Sequence, residues 1–121
     1  MTAVGKFIGV LMSSREQAHV FHLTTKSFAA HKALQAYYEA IVPLLDSYAE
    51  TYMGKSKKTI TGLTPYINRK IYTDSRLARA YFVKLAKTIK GLRLPKDPYL
   101  DNIRQEIDAL VRQTMYMLSL K

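Results

Sequence analysis

The sequence predicts an all-α protein, a bundle of four helices with a long crossover between the second and the third. Three observations predict it. Apolar residues recur at i, i+3, i+4 and i+7 through four separate stretches. Polar, glycine- or proline-bearing connections at 24–27, 54–72 and 92–98 separate those stretches. The chain has 121 residues, 48% of them hydrophobic, which suits a single domain over 1–121 with one core.

Helix one is expected over 2–24. Val4, Phe7, Ile8, Leu11, Ala18 and His22 fall along one stripe, so His22 turns inward with the apolar face. Arg15 lies on the same stripe. A buried arginine needs a carboxylate, and Asp46 or Glu50 of the antiparallel neighbouring helix is within reach, which gives those two acids an alternative use to metal binding. Thr24, Thr25, Lys26 and Ser27 form a polar connection, with Ser27 suited to cap helix two.

Helix two is expected to run to Met53 and stop at Gly54. Ala33, Leu34, Tyr37, Tyr38, Ile41, Leu44, Leu45, Tyr48 and Tyr52 give it an apolar surface broad enough for two sides. One side would face the bundle and the other a neighbouring subunit. Pro43 lies inside this helix, where proline removes a backbone bond at a cost of ~3 kcal/mol, so a kink is expected there.

Helix three should start at Asp74 or Ser75 and end near Gly91, with Leu77, Tyr81, Leu85 and Ile89 inward and basic residues over the rest. Pro95 and Pro98 make 92–98 an extended connector. Helix four is expected over 99–120, with Ile103, Ile107, Leu110, Val111, Met115 and Leu118 inward. Glu106 and Asp108 read as surface or ion-pairing groups.

Composition narrows the function classes. There is no cysteine, which excludes disulfides, thiolate metal sites and cysteine nucleophiles and agrees with a cytoplasmic location. The apolar run at 3–12 is interrupted by Lys6 and continues as a helix face, so it reads as mature structure and not as a signal peptide. No stretch reaches the ~20 apolar residues of a membrane span, and no membrane partner is expected. Nineteen Lys and Arg against nine Asp and Glu give a net charge of +10, which favours polyanions such as nucleic acid or an acidic partner.

Metal-capable side chains concentrate between Glu16 and Gly54. This stretch holds all three histidines, His19, His22 and His31, together with Asp46 and Glu50. The two carboxylates stand at i and i+4 and would present both oxygens to one cation. His31 precedes Asp46 by fifteen residues on the same helix, which at ~1.5 Å per residue separates them by about 22 Å. A site using both therefore needs a second copy across an antiparallel two-fold contact.

These residues resemble the Dps-type ferritin-like proteins, and the chain looks most like their shortened, phage-type relatives. The resemblance rests on a histidine at the end of helix one, the F-x-x-H of Phe28 and His31, and the D-x-x-A-E of Asp46, Ala49 and Glu50. His31 matches the family's second histidine, and Asp46 and Glu50 match its two later carboxylates. The first histidine is either His19, which keeps the twelve-residue distance to His31, or His22, which leads His22-Leu23 where the family's His-Trp pair would fall if the loop were three residues shorter. The resemblance implies a ferritin-like four-helix bundle whose middle helices are joined by the long crossover. It also implies a ferroxidase site shared between two subunits, iron oxidised by peroxide or oxygen, and storage of the product in a homo-oligomer such as a hollow shell. Two features depart from the family. Gln35 stands where an aspartate is usual, and an amide brings no charge to offset the cation; Pro43 would re-aim the carboxylates.

The crossover itself is basic. Lys55, Lys57, Lys58, Arg69 and Lys70 alternate with Tyr66 and Tyr72, a mixture suited to tracking a phosphate backbone and stacking on bases, or else a solvated loop. Gly54-Lys55-Ser56 ends like a phosphate-binding loop, but Ala49 stands where that motif has glycine and no strand precedes it. The competing function class is thus a non-catalytic helical protein that binds nucleic acid or builds a larger particle such as a virion.

Overall fold

Thr2 opens helix α1 (Ala3–Thr24): its hydroxyl accepts from the Gly5 backbone N–H at 3.0 Å and satisfies one of the donors that a helix start leaves unpaired. The computed structural model describes residues 2–120. Among them it is all helical: α1, α2 (Phe28–Ser56), a short α3 (Thr64–Ile67), a 3-10 turn (Ser75–Leu77), α4 (Ala78–Lys90) and α5 (Pro98–Leu118). There is thus one helix more than expected, because α3 forms inside the crossover, started by Pro65 in its first turn.

The four long helices pack in a closed ring, α1 against α2, α2 against α5, α5 against α4, and α4 against α1. Their directions follow from contacts at the ends. Phe21 near the end of α1 meets Tyr81 near the start of α4 at 6.1 Å. Lys55 at the end of α2 meets Asp97, just before α5, at 2.7 Å. So α2 and α4 both run against α1, α5 runs back beside them, and the crossover returns the chain along the length of the bundle.

That return path explains why α1 is buried on most of its circumference. Val4, Phe7, Ile8, Leu11, Ala18 and His22 are buried as expected. A second buried stripe, Gly5, Gly9, Ser13 and Gln17, recurs every four residues and lies under the crossover. A Cβ on Gly5 would sit 2.0 Å from the Thr61 carbonyl oxygen, and one on Gly9 2.6 Å from that of Leu63. The crossover backbone lies where side chains would be. At the far end, the Gln17 carboxamide brackets the Tyr72 peptide.

Several expectations are corrected. Helix α2 does not stop at Gly54. It runs to Ser56 because Lys57 adopts the left-handed conformation at φ 58° and donates to the Met53 carbonyl at 2.8 Å. Pro43 does not interrupt it: Pro43 and Glu39 are both exposed, so the carbonyl that loses its partner lies on the solvent side. Leu77 belongs to the 3-10 turn and is 43% exposed, which leaves Ala78, Phe82, Leu85, Ala86 and Ile89 as the core face of α4. Arg15 is not buried and does not reach Asp46 or Glu50. It pairs with its neighbour Glu16 and lies over the Tyr38 ring at 5.9 Å. Asp108 behaves as expected, pairing with Arg112 at 3.0 Å.

Candidate functional site

The histidines gather where α1 hands the chain to α2. His22 and His31 stack with ring centroids 3.6 Å apart and planes at 20°. Each Nδ1 lies against the other residue's backbone carbonyl, at 2.8 Å from His22 and 2.9 Å from His31. A carbonyl only accepts, so both Nδ1 atoms carry the hydrogen. The His31 ring thereby pairs a last-turn carbonyl of α1 that would otherwise be orphaned.

This clasp bears on metal binding. An ion lies in the plane of the imidazole that ligates it, about 2.1 Å from the nitrogen. Planes stacked at 3.6 Å and 20° do not meet within that distance, so the two rings as arranged do not serve one ion together. His19 lies one turn back, stacked on Tyr38 at 4.6 Å. Asp46 and Glu50 are exposed on α2, and neither forms an ion pair among the described residues. Within one chain, no three or more of the described His, Asp and Glu side chains gather to hold a metal ion.

The basic residues of the crossover separate into two sets. Lys55 is engaged: its ammonium donates to Asp97 at 2.7 Å, which raises its pKa and lowers that of Asp97. Lys57 and Lys58 are exposed just beyond α2. Arg69 and Lys70 instead enter a cleft of about 660 Å³ between the crossover, α1 and α4. There they meet Lys6 of α1 and Lys84 of α4, and no acidic residue lines the space.

Three of these four cations lie over tyrosine rings. Arg69 lies over the Tyr66 ring at 5.3 Å and Lys6 over the same ring at 5.6 Å, while Lys70 lies over Tyr72 at 5.4 Å. Tyr81 forms part of the wall, its pKa raised by burial and partly restrained by the nearby Arg69 cation. Leu77, displaced from the core, lines the same space. Sequence reasoning finds Arg69, Lys70, Tyr66 and Tyr72 but not Lys6, Lys84 or Tyr81, which the fold alone brings to them. The four-residue repeat of Gly5, Gly9, Ser13 and Gln17 is the available signal that something lies along this side of α1.

Fold and cleft together define a strongly basic, all-helical protein with a cation-and-tyrosine cleft under its crossover. The chain belongs to a family of unknown function, DUF5856, whose model matches residues 22–118. It is similar to an uncharacterized 14.6 kDa protein of the mobD-ri intergenic region of Enterobacteria phage T4, at 27% identity over 120 residues, covering 96% of this chain and 88% of that protein. No solved structure matches. No helix among the described residues is long and apolar enough to cross a membrane.

Proposed function

We propose that the protein binds nucleic acid through its phosphate backbone, using the cleft between the crossover, α1 and α4. The observation that carries this reading is the cleft wall, with four cations, no carboxylate and three tyrosines. Five of the nine acidic residues are already tied in ion pairs elsewhere on the surface, so little negative charge opposes an incoming phosphate. Cations that replace condensed counterions make binding fall steeply with salt. The test is a salt titration of binding to a DNA fragment. Replacing Arg69, Lys70 and Lys84 with alanine weakens binding and flattens the salt slope by about one for each phosphate that is no longer neutralised. Lys55→Ala, whose ammonium is engaged by Asp97, leaves both nearly unchanged. Undiminished binding by the triple variant sinks the reading.

A second reading is favoured by the outer face of α2. His31, Asp46 and Glu50 fall within roughly 100° of one another around that helix, and both carboxylates are exposed and unpaired among the described residues. The crossover joins two helices that run the same way, which supports a ferritin-like bundle. On this reading two copies pack α2 against α2, and His31 of one meets Asp46 and Glu50 of the other. Iron(II) is then the substrate, oxidised by peroxide or oxygen and stored by an oligomer. Either His19 or His22 would supply the remaining imidazole, and His22 only after leaving the stack. An anaerobic Fe(II) titration beside the Asp46→Ala, Glu50→Ala double variant tests it. Stoichiometric binding lost in the variant supports the shared site, and binding no better than the variant's removes it.

A further inference from the structure

Resting on the nucleic-acid reading of the cleft, we infer that its ligand is single-stranded, with a base inserted against the tyrosine wall and the flanking phosphates held by Lys6, Arg69, Lys70 and Lys84. Shape argues for this first. Proteins that read duplex DNA push a helix or ribbon out into a groove, whereas this surface is a concavity of about 660 Å³, of a size that takes one small organic group. A paired base lies inside its stack and does not enter a concave site, while an unpaired one is free to do so.

Chemistry argues for it next. Every base has a π-face, so a tyrosine wall accepts any of them, and neighbouring cations provide for the phosphates on either side. Here cations and rings are not merely close in sequence. Lys6 comes from α1, Lys84 from α4 and Arg69 and Lys70 from the crossover, and Tyr66 and Tyr72 each lie under one or more of them. Tyr72 is the ring best placed to receive a base. It is 42% exposed, and its position is fixed through its backbone, which Gln17 holds by both N–H and carbonyl. Lys70 lies over its ring at 5.4 Å, so a base stacking there meets a cation beside it, and the place of Tyr72 in the fold rests on its backbone and not on the ring.

The same bracket makes the test clean, since Tyr72→Ala removes the ring and keeps both hydrogen bonds to Gln17. The full chain is titrated into three labelled probes at one salt concentration: an oligothymidylate of about twenty nucleotides, a duplex of equal length, and inorganic polyphosphate of matched charge. The oligothymidylate is expected to bind at least about ten-fold tighter than the other two. Tyr72→Ala should weaken it roughly ten-fold and leave polyphosphate binding as it was, and Tyr72→Phe should restore wild-type affinity. Equal affinity for oligothymidylate and polyphosphate, or tighter binding of the duplex, overturns base insertion while leaving the phosphate-backbone reading intact. A Tyr72→Ala variant that binds oligothymidylate like the wild type also overturns it. Failure of all three probes to bind removes both.

Discussion

Gln17 and Tyr72, fifty-five residues apart, are joined by two hydrogen bonds: the Gln17 amide donates to the Tyr72 carbonyl at 2.7 Å, and the Tyr72 N–H donates to the Gln17 amide oxygen at 2.8 Å. Gln17 is 1% exposed, so water does not replace a bond once it is broken. Gln17→Leu leaves both backbone groups of Tyr72 without their partners and should cost about 2 kcal/mol in urea denaturation. Gln17→Glu retains an acceptor for the N–H but brings no donor for the carbonyl, and its charge is buried, so it should be no better than the leucine variant.

The glycines of α1 and α2 are expected to respond to alanine with opposite signs. Alanine favours a helix over glycine by about 1 kcal/mol. At Gly54 nothing lies within 4 Å of the added Cβ, so Gly54→Ala should stabilise by roughly 0.5–1 kcal/mol. At Gly9 the Cβ would lie 2.7 Å from the Tyr66 Cβ as well as 2.6 Å from the Leu63 oxygen, and at Gly5 it meets backbone. Those atoms belong to the crossover, which must lift. Gly5→Ala and Gly9→Ala should therefore destabilise by ~1–3 kcal/mol despite the gain in propensity. Thermal unfolding of the three variants side by side checks the contrast.

Acid should weaken the ion pairs in a defined window. Asp97, Asp101 and Asp74 are each held below the usual carboxylate value of 3.8, by hydrogen bonds from Lys55, Arg104 and Arg76 respectively. A depressed carboxylate stabilises the fold above its unfolded pKa, and that stabilisation is lost as the pH falls through the folded value. Asp97→Asn should lower Tm slightly at neutral pH, with the difference shrinking below about pH 4 and gone once Asp97 is protonated in the folded state too. Melting curves across that range, at low and high salt, measure it.

What is legible in the sequence is the part encoded at short range. The stripe from Val4 to His22 follows the helical period, and the caps at Ser27 and Asp74 are local side chain-to-backbone bonds. The apolar neighbours of Arg15 suggest burial, whereas a long side chain at a helix surface finds a nearer acid in Glu16. Lys55 groups with Lys57 and Lys58 by proximity along the chain, but Asp97 takes it from forty-two residues away. The cleft lies beyond local reach for the same reason: Lys6 and Lys84 carry no pattern linking them to Arg69. The histidines stand out along the chain as a cluster, yet their stacking depends on how two helix ends meet, which spacing alone does not encode.

Two buried tyrosines should respond oppositely to removal of their hydroxyls. The Tyr37 hydroxyl lies 2.7 Å from Ser14 Oγ, which itself donates to the Leu11 carbonyl at 2.6 Å, so Tyr37→Phe breaks a satisfied bond and should cost about 1 kcal/mol. The Tyr48 hydroxyl is buried with no hydrogen-bond partner among the described residues, while its ring packs edge-on against Phe7 at 4.9 Å. Tyr48→Phe keeps the ring, removes the unpaired group and should stabilise by about 1 kcal/mol. Burial also pushes the Tyr48 pKa up from 10.0 to about 12. A phenol kept neutral in the fold ionises more readily once unfolded, so its contribution is intact below about pH 10 and is lost as the pH climbs toward 12. In an alkaline titration followed by phenolate absorbance, the wild type should lose stability over that interval faster than Tyr48→Phe does. Parallel curves for the two proteins would mean that the Tyr48 hydroxyl reaches water.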